Sequence, residues 1–300
     1  MNETQGYQIL TDKKGKQIAV ETATGEVFDT FNAVLPVGSL IYTPEQQEDY
    51  KARKKKEQDE YLRSKRYGEK KPSYTFVMTT ADFKNVSPAN LTRLIYLSTY
   101  LSYHNSELRK GERHKITKNE LPQILGISER TAQRFWREVC PQYISEDIDE
   151  TLKLNPDVFS RGRAKRLMAF YIKVFSKGMK SLYNSVPKSK HKHLGYIFAM
   201  LPYVNVEHNI LCYDTAENNI DKIEPMNMKD FCSEIGFDYR HVDRLHDIFK
   251  SIMFDVDGNK ELFCSIIRNT YSGKELMVIN PKVFYSGKNE TAVAEFGVFY

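Results

Sequence analysis

No stretch of this 300-residue chain approaches the roughly 18 consecutive apolar residues that a membrane-spanning helix needs. The opening MNETQGYQIL is polar and lacks the apolar run of a secretion signal, so a cytoplasmic protein without membrane association is expected. Cysteine is scarce. Cys140, Cys212, Cys232 and Cys264 stand far apart, none in the Cys-x-x-Cys spacing of a zinc or redox site, and they read as reduced core residues. Catalytic signatures are missing as well. Gly273-Lys274 and Gly287-Lys288 lack the upstream glycine of a nucleotide-binding loop, no His-Glu-x-x-His occurs, and no nucleophile constellation stands out. His191 and His193 flank a lysine, whereas a strand-borne metal pair flanks a hydrophobic residue, so a solvated basic loop is the expectation there. These absences point to a protein that is not an enzyme and uses no cofactor or metal.

What is present is an ordinary globular balance, 41% hydrophobic and 28% charged, enough for two compact domains and an appendage. A formal charge of +5 permits a polyanionic partner, but its placement along the chain decides more than its total.

Residues 1–43 read as short strands: Tyr7–Leu10, a turn over Asp12–Gly15, Gln17–Val20, a turn ending in Thr24-Gly25, then Glu26–Phe28. A small β-meander is expected. Residues 44–72 mix acids and bases with only Tyr50, Tyr61 and Leu62 as apolar anchors, which describes either a solvated helical linker or a basic arm on DNA phosphates.

The remainder is one unit written twice. Leu154-Asn-Pro-Asp-Val-Phe-Ser-Arg-Gly162 returns as Ile279-Asn-Pro-Lys-Val-Phe-Tyr-Ser-Gly287 at an offset of 125. Leu121–Ser128 returns as Phe231–Asp238 at 110, the helical stretch Leu91–Leu101 as Leu194–Val204, and the strand Tyr74–Met78 as Tyr171–Phe175 at 97. Four matches in constant order predict an internal duplication. The boundaries expected are 73–162 for the first domain and 163–288 for the second, followed by a tail, 289–300. In that tail Phe296, Val298, Phe299 and Tyr300 suit a short strand docking on a sheet edge, its own or a neighbour's.

In the first copy, Thr117–Leu125 reads as a helix ended by Gly126, a residue tolerant of positive φ. Ser128 is a good N-cap for a second helix reaching about Val139, with Ala132, Phe135 and Val139 inward and Trp136 at the edge. Outward lie Arg130, Gln133, Arg134 and Arg137, at the i, i+3, i+4, i+7 spacing of one helix face. They are the side chains that grip guanine edges, adenine edges and phosphates. Ser128 and Thr131 complete this candidate DNA-reading surface.

The second copy keeps the scaffold and changes the charge. Asp238 replaces the serine, Val242, Leu245 and Phe249 face inward, and Arg240, Asp243, Arg244 and Asp247 face out beside Tyr239. Tyr239, Arg240 and Arg244 are DNA candidates, with dimerisation or partner binding as the alternative for this helix. A hairpin is expected after each second helix. The first, Tyr143–Leu154, has an acidic tip; in the second, Leu262–Arg268 and Glu275–Ile279 flank a tip where Arg268 and Lys274 could reach DNA. Between the copies, Arg161 to His193 holds ten cationic residues and no acid, and Arg161, Arg163, Lys188, Lys190 and Lys192 are candidate phosphate contacts.

The order strand, helix, Leu-Pro-Gln-Ile-Leu-Gly-Ile-Ser helix-turn-helix, hairpin and Asn-Pro-x-Val-Phe resembles winged-helix replication proteins of bacterial plasmids and phages, notably the RepL type of Firmicute plasmids, over about residues 74–287. The fold expected is therefore α+β: two tandem winged helix-turn-helix domains behind a small β-meander and a charged helical linker. The resemblance implies a replication initiator that binds double-stranded DNA at origin repeats, with host replication or transcription proteins and a second copy of the chain as further partners. A transcriptional regulator of a mobile element, or a host-protein-binding module that uses no DNA, are the alternatives.

Overall fold

A computed structural model describes residues 6–11, 14, 17–29, 40–42, 48–52, 54–55, 73–103, 105–111, 113–162, 171–256, 258–268 and 275–287. The chain divides into two compact units, 1–71 and 72–300. Its class is mixed α+β with several small antiparallel sheets, and among the described residues no helix is long and apolar enough to cross a membrane.

In the first unit β1 (Gly6–Thr11), β2 (Gln17–Glu21) and β3 (Val27–Asp29) run antiparallel as the expected meander. The β2–β3 turn closes through Glu21 N–H to Glu26 O at 2.9 Å, and Gly25, at φ +75°, supplies the left-handed position that turn requires. A fourth strand, β4 (Leu40–Tyr42), adds in parallel to the free edge of β1, an element the sequence did not signal. In the charged segment residues 48–52 and 54–55 are helical and exposed where their side chains are described.

The first half of the second unit contains β5 (Tyr74–Met78), α1 (Pro88–Ser98), a β6–β7 hairpin (Arg109–Lys110, His114–Lys115), α2 (Leu121–Leu125) and α3 (Glu129–Val139). It closes with β8 (Ile144–Glu146), β9 (Leu152–Leu154) and β10 (Phe159–Ser160). The second half has β11 (Tyr171–Phe175), α4 (Ser176–Ser185), α5 (His191–Ala199), α6 (Met228–Glu234) and α7 (Val242–Ser251). Five strands follow: β12 (Met253–Val256), β13 (Asn259–Leu262), β14 (Cys264–Arg268), β15 (Glu275–Ile279) and β16 (Phe284–Tyr285).

The duplicated motifs make duplicated hydrogen bonds. After α2, Ile127 N–H donates to Pro122 O at 3.0 Å and Gly126 takes φ +61°; after α6, Phe237 N–H donates to Cys232 O at 2.8 Å and Gly236 takes φ +65°. This is the left-handed helix stop that glycine accepts without steric cost. Asn155 donates its backbone N–H to Tyr143 O and its side-chain amide to Gln142 O, both at 2.9 Å, while its Oδ1 accepts from Asp157 N–H. Asn280 repeats the set with Phe263 O, Leu262 O and Lys282 N–H. The recurring Asn-Pro-x-Val-Phe is thus a clasp that turns the chain back after the hairpin and delivers β10 or β16 to the sheet.

That sheet has the order β10-β5-β11-β16. In the antiparallel β5–β11 pair, Phe76 faces Lys173, Tyr74 faces Phe175 and Met78 faces Tyr171. Since Tyr171 corresponds to Tyr74 and Phe175 to Met78, the register is symmetric about Phe76–Lys173. The outer strands obey the same symmetry, with Phe159 opposite Val77 and Phe284 opposite Val174. The halves are therefore related by an approximate two-fold axis through the sheet.

Helices α1 and α5 meet on the same plan. Pro88 O lies 1.8 Å from where a Cβ on Gly195 would stand, and the Thr92 hydroxyl donates to His191 O at 2.8 Å. Under an offset of 103 these two contacts exchange, 88 with 191 and 92 with 195. Around them one continuous core draws on both halves, including Leu91, Leu94, Ile95, Leu194, Ile197 and Phe198. Tyr96 stacks on Tyr183 with ring centroids 3.8 Å apart, and Tyr183 Oη donates to Leu125 O at 2.8 Å, tying α4 to the end of α2. Cys212, Cys232 and Cys264 are buried in this body and Cys140 half-buried.

Three readings of the sequence need correction. After the expected strand 171–175, here β11, the basic stretch is not an open connector: 176–185 is helix α4, whose Met179, Leu182 and Tyr183 face inward at helical spacing. His191 and His193 lie in the first turn of helix α5, not in a solvated loop, and continue into the helical stretch expected from Leu194. An extra hairpin, β12–β13, intervenes between α7 and the expected second hairpin β14–β15; Gly258, at φ +87°, makes its turn. Asp257-Gly258 is a hairpin signal that the helical pattern before it obscured.

Because a carbonyl occupies the place of a side chain at Gly195, Gly195→Ala should destabilise the fold by about 2–3 kcal/mol. Urea unfolding measures it, and an unchanged midpoint would show that α1 and α5 do not approach this closely.

Candidate nucleic-acid interface

Helix α3 is held by its buried side, Ala132, Phe135 and Val139. Its N-terminus is capped by Ser128, whose Oγ accepts from Thr131 N–H at 3.4 Å and lies 2.9 Å from the Thr131 hydroxyl. Arg130, Gln133, Arg134 and Arg137 are all exposed, and among the described residues none of the three guanidinium groups is ion-paired. The two acids of α3 lie apart from the centre of this stripe. Glu129 sits in the first turn, and Glu138 is turned onto the start of α1, where it accepts from Ser87 N–H and, at 2.7 Å, from Asn90 Nδ2. Trp136 is half-buried, with Lys118 Nζ 4.8 Å above its ring. The arginine face thus stands on a helix fixed at both ends, with its cations available to a ligand.

The β8–β9 hairpin beside it carries the acidic tip read from the sequence, but two of those acids are neutralised. Asp147 pairs with Lys153 and Asp149 with Lys115, whose hydrogen bond holds the Asp149 carboxyl down to about 2. Ile148 at the tip is fully exposed.

The corresponding face of α7 is electrically balanced. Asp238 accepts from Arg240 N–H at 3.0 Å and chelates its guanidinium through Nε and Nη2 at 2.8–3.1 Å. Arg244 is exposed between the exposed Asp243 and Asp247, and Tyr239 is half-exposed at the helix start. The backbone of Arg268 ends β14; its side chain and Lys274 lie outside the described residues, as do Arg163 and the tail 289–300.

The proposed phosphate contacts separate into two kinds. Arg161 is half-buried, donating to Leu101 O and to Ser73 Oγ, with its guanidinium 4.4 Å over the Tyr103 ring. Lys188 folds back over Tyr183, its Nζ 3.8 Å from the ring centroid and 3.4 Å from Tyr183 O, against the Gly126 turn. Both are structural cations rather than solvated ones, a distinction that charge counting could not make. Lys190 and Lys192 are exposed at the start of α5.

His191 is fully buried, with Nε2 3.1 Å from Tyr183 O and 3.0 Å from Val186 O and its ring packed on Tyr183. Two carbonyl acceptors require Nε2 to carry the proton. Among the described residues no group of His, Cys, Asp and Glu could hold a metal ion. Comparison with family models, with curated proteins and with solved structures returned no match.

Burial, followed by the charges of Lys188 and Arg93, pushes the His191 imidazole down from its ordinary 6.5 to about 4. The unfolded chain therefore takes up this proton first as the pH falls. The stabilisation is full above about 6.5 and is lost progressively toward 4, by on the order of 3 kcal/mol. His191→Gln, which keeps a donor and cannot titrate, should flatten this part of the stability–pH curve. Equal slopes for both proteins between pH 4 and 6.5 would remove His191 as the cause.

Proposed function

We propose that this chain is a sequence-specific double-stranded DNA-binding protein built as two tandem winged helix-turn-helix units. In this reading α2 and α3 with the β8–β9 hairpin form the first unit, and α6 and α7 with β14–β15 form the second. The observation that carries it is the face of α3: three exposed arginines and a glutamine at one-face spacing, on a helix whose opposite side is buried. Guanidinium forks read guanine edges and amides read adenine edges, so such a face suits the major groove. Exposed Lys190 and Lys192 add sequence-independent attraction for phosphates.

The two units share one core and hence present their outer helices as one body, which fits a protein that meets DNA along a repeated site. The first unit is the reader. The balanced face of α7 suits contact with protein, a second copy or a host factor, better than contact with phosphate. Replication initiation at origin repeats of a plasmid or phage is the role the resemblance favours, and the reading requires neither catalysis nor a cofactor.

Arg130→Ala with Arg134→Ala should erode discrimination between a selected site and scrambled duplex more than it weakens binding to scrambled duplex, since base contacts are worth about 1–3 kcal/mol each. Electrophoretic competition measures the ratio, and an unchanged ratio in a folded double variant would falsify α3 as the reader. Lys190→Gln with Lys192→Gln should instead reduce the slope of log affinity against log salt on any duplex, by about 0.9 per lost phosphate contact. Identical slopes would leave these lysines as mere surface.

A further inference from the structure

Away from α3, a cleft of about 860 Å³ opens between the chain that follows α1 and the start of α4, within the range of small-ligand sites. Its walls carry Lys110, Arg161, Lys177, Lys180, Tyr100 and Tyr103, and among the described residues no carboxylate belongs to its lining. Lys180 is half-buried with its Nζ 4.1 Å from the Tyr100 ring centroid, beside Arg161 over Tyr103. Neither Lys180 nor Arg161 has an acidic partner among the described residues.

This arrangement is costly for the fold alone. Desolvation and the neighbouring Arg161 both hold the Lys180 amine below its ordinary value, so the charged form is disfavoured where it stands. A cation–ring contact returns only part of that cost, and an apolar side chain would fill the same space. Two adjacent cations without a counter-charge among the described residues, in an open cleft, are what an anion would stabilise. The floor adds the hydroxyls of Ser73 and Ser176, 3.3 Å apart, at the start of the ten-residue α4, whose first turn holds no acid. The tyrosines at the rim provide aromatic edges for a base.

We propose that this cleft binds the phosphate of a nucleotide, either free or as part of a single strand. Lys180 neutralises the phosphate, the serine hydroxyls complete its hydrogen bonding, and the base rests at the tyrosine rim. The site is distinct from the duplex-reading face of α3.

The test uses the full chain and fluorescence anisotropy of a labelled oligothymidylate of about 12 nucleotides, with ADP as competitor. The wild type should bind the strand. Lys180→Gln should weaken binding about tenfold, as expected for one lost charge-assisted contact, while Lys180→Arg keeps most of it. Displacement by ADP would assign the site to free nucleotides, and failure of ADP to displace the strand would assign it to a strand. Arg130→Ala with Arg134→Ala should weaken strand binding less than Lys180→Gln does and duplex binding more, which separates this site from α3. The melting temperature of Lys180→Gln should equal or exceed that of the wild type, because an uncompensated cation is removed. The proposal is overturned if neither strand nor ADP binds, or if Lys180→Gln binds like the wild type. It is likewise overturned if that variant melts markedly lower, or if it loses duplex and strand affinity in equal measure.

Discussion

The close approach of α1 and α5 sets the geometry of the body formed by residues 72–300. A carbonyl at Pro88 fills the space where Gly195 has no side chain, and the Thr92 hydroxyl meets the His191 carbonyl at the equivalent point. Backbone packed this tightly leaves the two helices little freedom to slide, so the strands that precede them must pair in one register. They do so about Phe76 and Lys173, and β10 and β16 then have only the two outer edges to occupy. The burial of His191 follows from the same contact, because the first turn of α5 is pressed against α1 and α4. Its imidazole must remain neutral there and spends its one N–H on the carbonyls that end α4.

The constraint reaches the candidate DNA-reading face through Glu138. This carboxylate leaves the arginine side of α3 to accept hydrogen bonds at the start of α1. One residue thereby fixes the orientation of α3 on the body and keeps a negative charge from Arg134 and Arg137. Lys188 does the converse. It brings a cation from the second half onto Tyr183 and the Gly126 turn, where it props the junction of α2 and α3 and is spent as structure. The electrostatic character of the surface is thus decided by which charges the packing consumes as much as by which the sequence contains.

That is also where the sequence was and was not legible. The turn at Gly126, the Ser128 cap, the Ala132–Phe135–Val139 stripe and the Asn-Pro-x-Val-Phe repeat could be read because each rests on local chemistry: a left-handed stop, a hydroxyl acceptor, a helical period, an asparagine that bonds its own backbone. The β-meander was legible for the same reason up to β3. Strand β4 was not, since it pairs in parallel with a strand some thirty residues away and its three residues carry no period. Helix α4 was hidden because its lysines drew attention to charge while Met179, Leu182 and Tyr183 carried the pattern. Arg161 and Lys188 counted as cations in the sequence, and only three-dimensional neighbours, Ser73 and Leu101 for one and Tyr183 for the other, show that both are part of the framework.

The two halves show what duplication preserves. The glycine turn, the asparagine clasp and the strand register are the same in both, because each determines where an element lies and a change would displace everything after it. The outward faces of α3 and α7 are free of that constraint, and there the halves part. Among the described residues the α3 arginines form no ion pair, whereas Arg240 is bound to Asp238 in the turn before α7 and Arg244 stands between two aspartates. One compact body then carries a cationic face on α3 and a balanced one on α7. Divergence on these exposed helix faces changes the charge each half presents while leaving the shared turns, clasps and register untouched, so that a symmetric framework carries an asymmetric surface.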